Sequence, residues 1–184
     1  MFPLLVLLGI AGLTAADQLT KLLAVTHLQD GPVVLWDGVF ELAYVENRGA
    51  AFGIGQGWGW LFSTLTVVVV LAILGLLLFT RRFRHPLALA SGILLAAGGI
   101  GNLIDRIWRG YVVDFLYFRW IDFPVFNVAD CCVVIGTILL AAYVLFVYRE
   151  PEKAGKPLQD TTEAERADAA PDSDCPTGSG GSET

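Results

Sequence analysis

The 184-residue chain is 55% hydrophobic and only 16% charged, with a mean hydropathy of +0.62. Soluble globular chains carry about a quarter of their residues as charges, so this composition excludes an ordinary soluble domain and points to an α-helical integral membrane protein. The net charge of −6 sits in the tail: Glu150 to Thr184 holds nine acidic and three basic residues, whereas Met1 to Arg149 holds nine of each. A net negative charge repels nucleic acid, and none is expected as a partner.

The first predicted element begins at Phe2, where an apolar run to Ala16 continues into DQLTKLLAV and gives a helix long enough to cross a hydrocarbon core. It reads as a retained span rather than a cleaved leader, because no Lys or Arg precedes it and the residues before Asp17 fit a small-residue cleavage site poorly. Next, VVLW-DG-VFELAYV reads as a β-hairpin, with Asp37-Gly38 expected to supply the positive φ angles of a tight turn. Further spans are predicted over Trp58 to Phe79, Pro86 to about Ile107, and about Asn127 to Tyr148. The Pro86 span is rich in Gly and Ala, as close helix packing in lipid allows. The predicted organisation is a four-helix membrane domain over 1–149, with β elements near 28–57 and 108–126, and an acidic tail over 150–184. That tail lacks aromatic residues and is expected to be disordered.

Arg81, Arg82 and Arg84 lie between the second and third spans, and Arg149, Lys153 and Lys156 follow the fourth. The positive-inside rule makes those ends, and hence both termini, cytoplasmic, so the β elements are expected to be extracytoplasmic. Cys131, Cys132 and Cys175 have no metal-ligand or disulfide spacing, and His27 and His85 are isolated, so neither a metal nor another cofactor is expected.

Charged residues within spans are rare and tend to be functional. Asp17 and Lys21 are four apart on one helix face and can pair. Asn102, Asp105 and Arg106 follow at helical spacing, with Arg106 expected to hold a carboxylate such as Asp105 or to balance a buried acidic pair. Asp114 stands in YVVDFLYF and Asp130 in FPVFNVADCC, both among apolar neighbours and both at the same predicted membrane face. Asp130 alone could be a helix cap. Together, two such carboxylates would share a proton and could run aspartic-peptidase chemistry. Their sixteen-residue separation does not bring them together on one helix, so their proximity is an expectation about the fold.

Five blocks in order, DQLTK from Asp17, NRGAAFG from Asn47, GNLIDR from Gly101, VVDF from Val112 and FPVFNVAD from Phe123, resemble the bacterial lipoprotein signal peptidases, also called signal peptidase II. The resemblance spans about residues 1–150. It implies an intramembrane aspartic endopeptidase of the cytoplasmic membrane that cuts diacylglyceryl-modified prolipoproteins before the lipidated cysteine, without a cofactor. It further implies that Asp114 and Asp130 are the catalytic dyad, that Asp17, Lys21, Asn47, Gly49, Asn102, Asp105, Arg106 and Asn127 support the site or bind substrate, and that the outer sheet cradles the substrate beside membrane lipids. A small cation- or proton-coupled transporter, with Asp17, Asp114 and Asp130 at different depths, and a non-catalytic membrane scaffold are the competing readings.

Overall fold

A computed structural model describes residues 2–49, 58–80 and 85–148. The arginines of the predicted cytoplasmic loop, most of NRGAAFG beyond Gly49, and the acidic tail lie outside the described residues. Four helices are long and apolar enough to span a bilayer. They are α1 (Phe2–His27), α2 (Gly59–Phe79), α3 (Pro86–Trp108) and α4 (Val128–Ala142), the last extended by a π-helical turn over Tyr143–Val147. Their bounds fall within a few residues of those predicted, because an uninterrupted apolar run is itself the requirement for crossing lipid.

Helix α3 is central. Gly9 and Thr14 of α1 meet Ile93 and Ala97, so α1 and α3 run parallel, while Gly92 and Gly99 meet Leu77 and Val70 of an antiparallel α2. Gly98 faces Ala129 and Val133, and Gly136 faces Ser91 and Leu95, which sets α4 antiparallel to α3. Small residues make these approaches possible: a Cβ on Gly98 would lie 2.5 Å from the Ala129 carbonyl oxygen.

At the end of the bundle where α3 stops and α4 begins, three strands form an antiparallel sheet in the order β1 (Val33–Trp36), β2 (Phe40–Asn47), β3 (Val112–Phe118). The hairpin forms where expected, but only Gly38 of the Asp37-Gly38 turn has positive φ, at 69°; Asp37 keeps an ordinary backbone conformation, since one glycine suffices to reverse the chain here. Gly110, at φ 78°, turns the chain from α3 into β3. Strand β1 has all four apolar residues exposed, whereas Val112 to Phe115 of β3 are buried, with Val113 and Phe115 packed against Ala24 and Leu28 of the α1 end.

Two features of the sheet aim the site. The β2–β3 register, Val45 opposite Asp114 and Asn47 opposite Val112, brings the Asn47 side chain alongside Asp114. Phe126 then pairs with Leu116 on the other edge of β3 through backbone bonds of 2.8 and 3.0 Å. That bridge sets the start of α4 beside β3, so residues distant in sequence meet.

Candidate active site

Asp114, on β3, and Asp130, in the first turn of α4, are joined by Asn127. The Asn127 amide donates to Asp114 Oδ1 at 2.6 Å, and its backbone N–H donates to Asp130 Oδ2 at 3.1 Å. Asn127 is also the N-cap of α4, accepting the Asp130 N–H at 2.9 Å, so Asp130 completes a capping box. The capping role open to Asp130 from sequence is therefore real and coexists with its place beside Asp114.

The remaining carboxylate oxygens are held by two further amides. Asn47 Nδ2 donates to Asp114 Oδ2 at 2.9 Å, and Asn102 Nδ2 donates to Asp130 Oδ1 at 2.8 Å. Each amide is turned by an obligate donor on its own oxygen: the Gly49 N–H for Asn47, the Asp130 N–H for Asn127, and the Lys21 ammonium, at 2.8 Å, for Asn102. An ammonium or N–H cannot accept, so the NH2 groups must face the carboxylates.

Lys21 is wholly buried. Besides Asn102, it contacts Asp17 at 2.9 Å and Asp105 at 3.0 Å, matching three acceptors to its three protons. The Asp17–Lys21 pair expected from spacing is thus present, but it is part of a hub that ties α1 to α3. Asp17 also accepts the Ala129 N–H at 2.9 Å, which fastens the start of α4 to α1. The expected Arg106–Asp105 contact does not form. Asp105 is taken by Lys21, by Arg109 four residues on, and by the Val113 N–H, so its capacity is filled. Arg106 instead donates to the Asn102 and Gly49 carbonyls, while its charge bears on Asp130, Asp114 and Asp105; this is the balancing role that sequence left as its other option.

Three contributors escaped the sequence reading. Arg109 is at i+4 from Asp105, a spacing that could have flagged it. Gln18 donates to Asp17, to the Gly101 carbonyl and to Asp105, contacts no local pattern announces. Gly101 leaves room for Asp17: a Cβ there would stand 2.5 Å from Asp17 Oδ2. Gly101→Ala should therefore lower stability by about 1–3 kcal/mol, the usual cost of overpacking, and reduce activity by displacing Asp17; thermal unfolding in detergent together with a cleavage assay checks this.

Both aspartates, Asn47, Asn102 and Arg106 border a cavity of about 510 Å³, whose other wall is apolar: Phe123 to Phe126, then Val133 to Ile135 of α4. Burial, moderated by the Asn47 bond and reinforced by the charge of Asp130, pushes the Asp114 carboxyl up to about 6. Between its unfolded value of about 4 and this value, the folded state holds the proton more tightly. Asp114 therefore stabilises the fold at low pH, and that contribution is lost as pH rises through about 6. The melting temperature of Asp114→Asn relative to the wild type should be higher at about pH 7 than at about pH 4, on top of a pH-independent loss from the amide NH2 it sets against Asn47 or Asn127; an equal shift at both would contradict this.

A family model described as signal peptidase (SPase) II matches residues 9–146. The chain belongs to the signal peptidase II family. It is thus a peptidase and a multi-pass membrane protein. It is 42% identical over 146 residues to a lipoprotein signal peptidase of Clostridium acetobutylicum, covering 76% of this chain and 92% of that one. A lipoprotein signal peptidase of Halothermothrix orenii is 45% identical over 130 residues, with 70% and 86% covered. A solved structure described as a bacterial membrane enzyme aligns with a TM-score of 0.71 at 29% identity, over 80% of this chain and 93% of that one.

Proposed function

We propose that this signal peptidase II family member removes signal peptides from prolipoproteins, cleaving before a diacylglyceryl-modified cysteine, with Asp114 and Asp130 as the catalytic dyad. The observation that carries this reading is the gathering of the two carboxylates by a single residue, Asn127, at the border of a cavity with one polar and one apolar wall. Water held between the carboxylates is the nucleophile. One aspartate takes its proton as the oxygen attacks the peptide carbonyl, and the other stabilises the developing oxyanion by a hydrogen bond. The amides that saturate the outer carboxylate oxygens fix both groups for this exchange.

The apolar wall suits an acylated substrate, because Val134 and Ile135 lie on an exposed helix face that we place against lipid. Membrane lipids would then share the task of holding the diacylglyceryl chains at the height of the dyad. We place the site at the extracytoplasmic face of the cytoplasmic membrane, with both termini cytoplasmic, on the arginine-rich loop and the basic residues after the fourth span. All five tryptophans, Trp36, Trp58, Trp60, Trp108 and Trp120, fall in or next to the segments assigned to that face, in keeping with an interfacial belt. A transporter lining its path with acids at different depths is less well supported, since Asp17, Asp105, Asp114 and Asp130 are linked in one network at one end of the bundle.

Cleavage of a purified prolipoprotein with and without its diacylglyceryl group tests the substrate assignment. The lipidated precursor should be processed at least about tenfold faster, the equivalent of about 1.4 kcal/mol of selective binding. Equal rates would remove the lipid from the recognition scheme.

A further inference from the structure

Among the described residues, three cations bear on Asp17, Asp105, Asp114 and Asp130: Lys21, Arg106 and Arg109, while Arg48 nearby is paired with Glu46. Three positive charges offset three carboxylates. A fourth ionised carboxylate would be a buried charge without compensation, a cost that a group escapes by taking a proton. Asp17 accepts from Lys21 and the Ala129 N–H, and Asp105 from Lys21, Arg109 and the Val113 N–H. Asp130 accepts the Asn127 N–H at the positive end of α4 and the Asn102 amide, whose oxygen is loaded by Lys21. Asp114 differs from the other three: among the described residues its oxygens meet only the side-chain amides of Asn47 and Asn127.

We propose that Lys21 is a positioning residue for the reaction: by holding Asn102 Oδ1 it turns and polarises the Asn102 amide toward Asp130, making Asp130 the ionised base and leaving the proton of the pair on Asp114. This rests on the dyad reading above and assigns its two roles. Asp130 then removes a proton from water as the water oxygen bonds to the peptide carbon, and Asp114 passes its proton to the carbonyl oxygen. In the collapse of the resulting gem-diol the C–N bond breaks, Asp130 returns its proton to the nitrogen, and Asp114 regains one from the diol hydroxyl. The charged and titratable groups facing Asp130 are Lys21 and Asp17 from α1, Arg106 from α3, Asp114 from β3 and the neighbouring Cys131 thiol. Arg106 bears on both members of the pair and so does not choose between them. Lys21 also bears on both, but it loads the oxygen of the Asn102 amide that donates to Asp130 at 2.8 Å, whereas its link to Asp114 runs one residue further, through the longer Asn127–Asn102 bond of 3.2 Å.

The test is infrared spectroscopy of the full-length enzyme with isotope-labelled aspartate, at about pH 5, where ordinary aspartates are mostly ionised. A protonated-carboxyl band should be present in the wild type, persist in Asp130→Asn and disappear in Asp114→Asn. A band absent from the wild type, lost with Asp130→Asn, or retained in both variants overturns the assignment. Cleavage by either folded Asn variant would instead overturn the dyad itself, so the two failures are distinguishable. The role of Lys21 is read from the pH profile of kcat/KM. Lys21→Met should move the acidic limb upward by about one pH unit, because the base loses its cation, and Lys21→Arg should move it back. A uniform loss at every pH in Lys21→Met, or an unchanged profile, shows a purely structural lysine and overturns the proposal. Should Lys21→Met fail to fold, Lys21→Gln, which keeps a donor for Asn102 without the charge, decides: an acidic limb moved upward supports the proposal and one at its wild-type pH overturns it.

Discussion

Asp114→Asn and Asp130→Asn should each lower cleavage of a diacylated prolipoprotein by at least about a hundredfold, the lower end of what positioned acid–base groups contribute. The near-isosteric amide preserves volume while removing the exchangeable proton. At Asp114 it relieves burial of a carboxylate but sets an amide donor against Asn47 or Asn127, so that variant should be inactive and should lose less stability at neutral than at acid pH. Asp130→Asn keeps an oxygen to accept the Asn127 N–H, and so can retain the cap. Measured by timed gel separation of precursor and product in detergent, substantial cleavage by either folded variant would remove that residue from the chemistry.

Lys21→Met has the largest expected effect on the fold. Methionine approximates the lysine stem but leaves Asp17 and Asp105 without their shared cation in a site closed to water. Breaking a buried ion pair from one side costs about 3–5 kcal/mol, because the abandoned charges remain desolvated. The melting temperature should fall far more than for Arg48→Met, since the Arg48–Glu46 pair is exposed and such pairs contribute about 1 kcal/mol or less. Comparable losses for the two substitutions would mean that water reaches Lys21.

The four spans and the hairpin were legible because each depends on local chemistry: apolar length for the helices, an Asp-Gly turn between β-branched runs for the hairpin. The pairing of Asp114 with Asp130 was not legible from spacing. It depends on the Phe126 bridge to Leu116 and on the β2–β3 register, both of which join residues from different segments. The resemblance to a family selected those two acids, whereas periodicity alone left Asp130 as a cap. Spacing marks Lys21 as half of a pair with Asp17, four residues away, while its other two partners come from α3, 81 residues along in the case of Asn102. Helical spacing leaves Arg106 two roles, holding Asp105 or balancing the acidic pair, and the structure has the second. On a helix, neighbours in sequence diverge by about 100°, and Arg109, at i+4, was the better candidate.

Asn127 caps the last span and holds both aspartates. A nascent chain that ends after β3 has Asp114 and Asn47 but neither Asn127 nor Asp130. If the proposed dyad is the catalytic pair, insertion of α4 and completion of the active site are one event, and a chain cut short before the fourth span should have no peptidase activity.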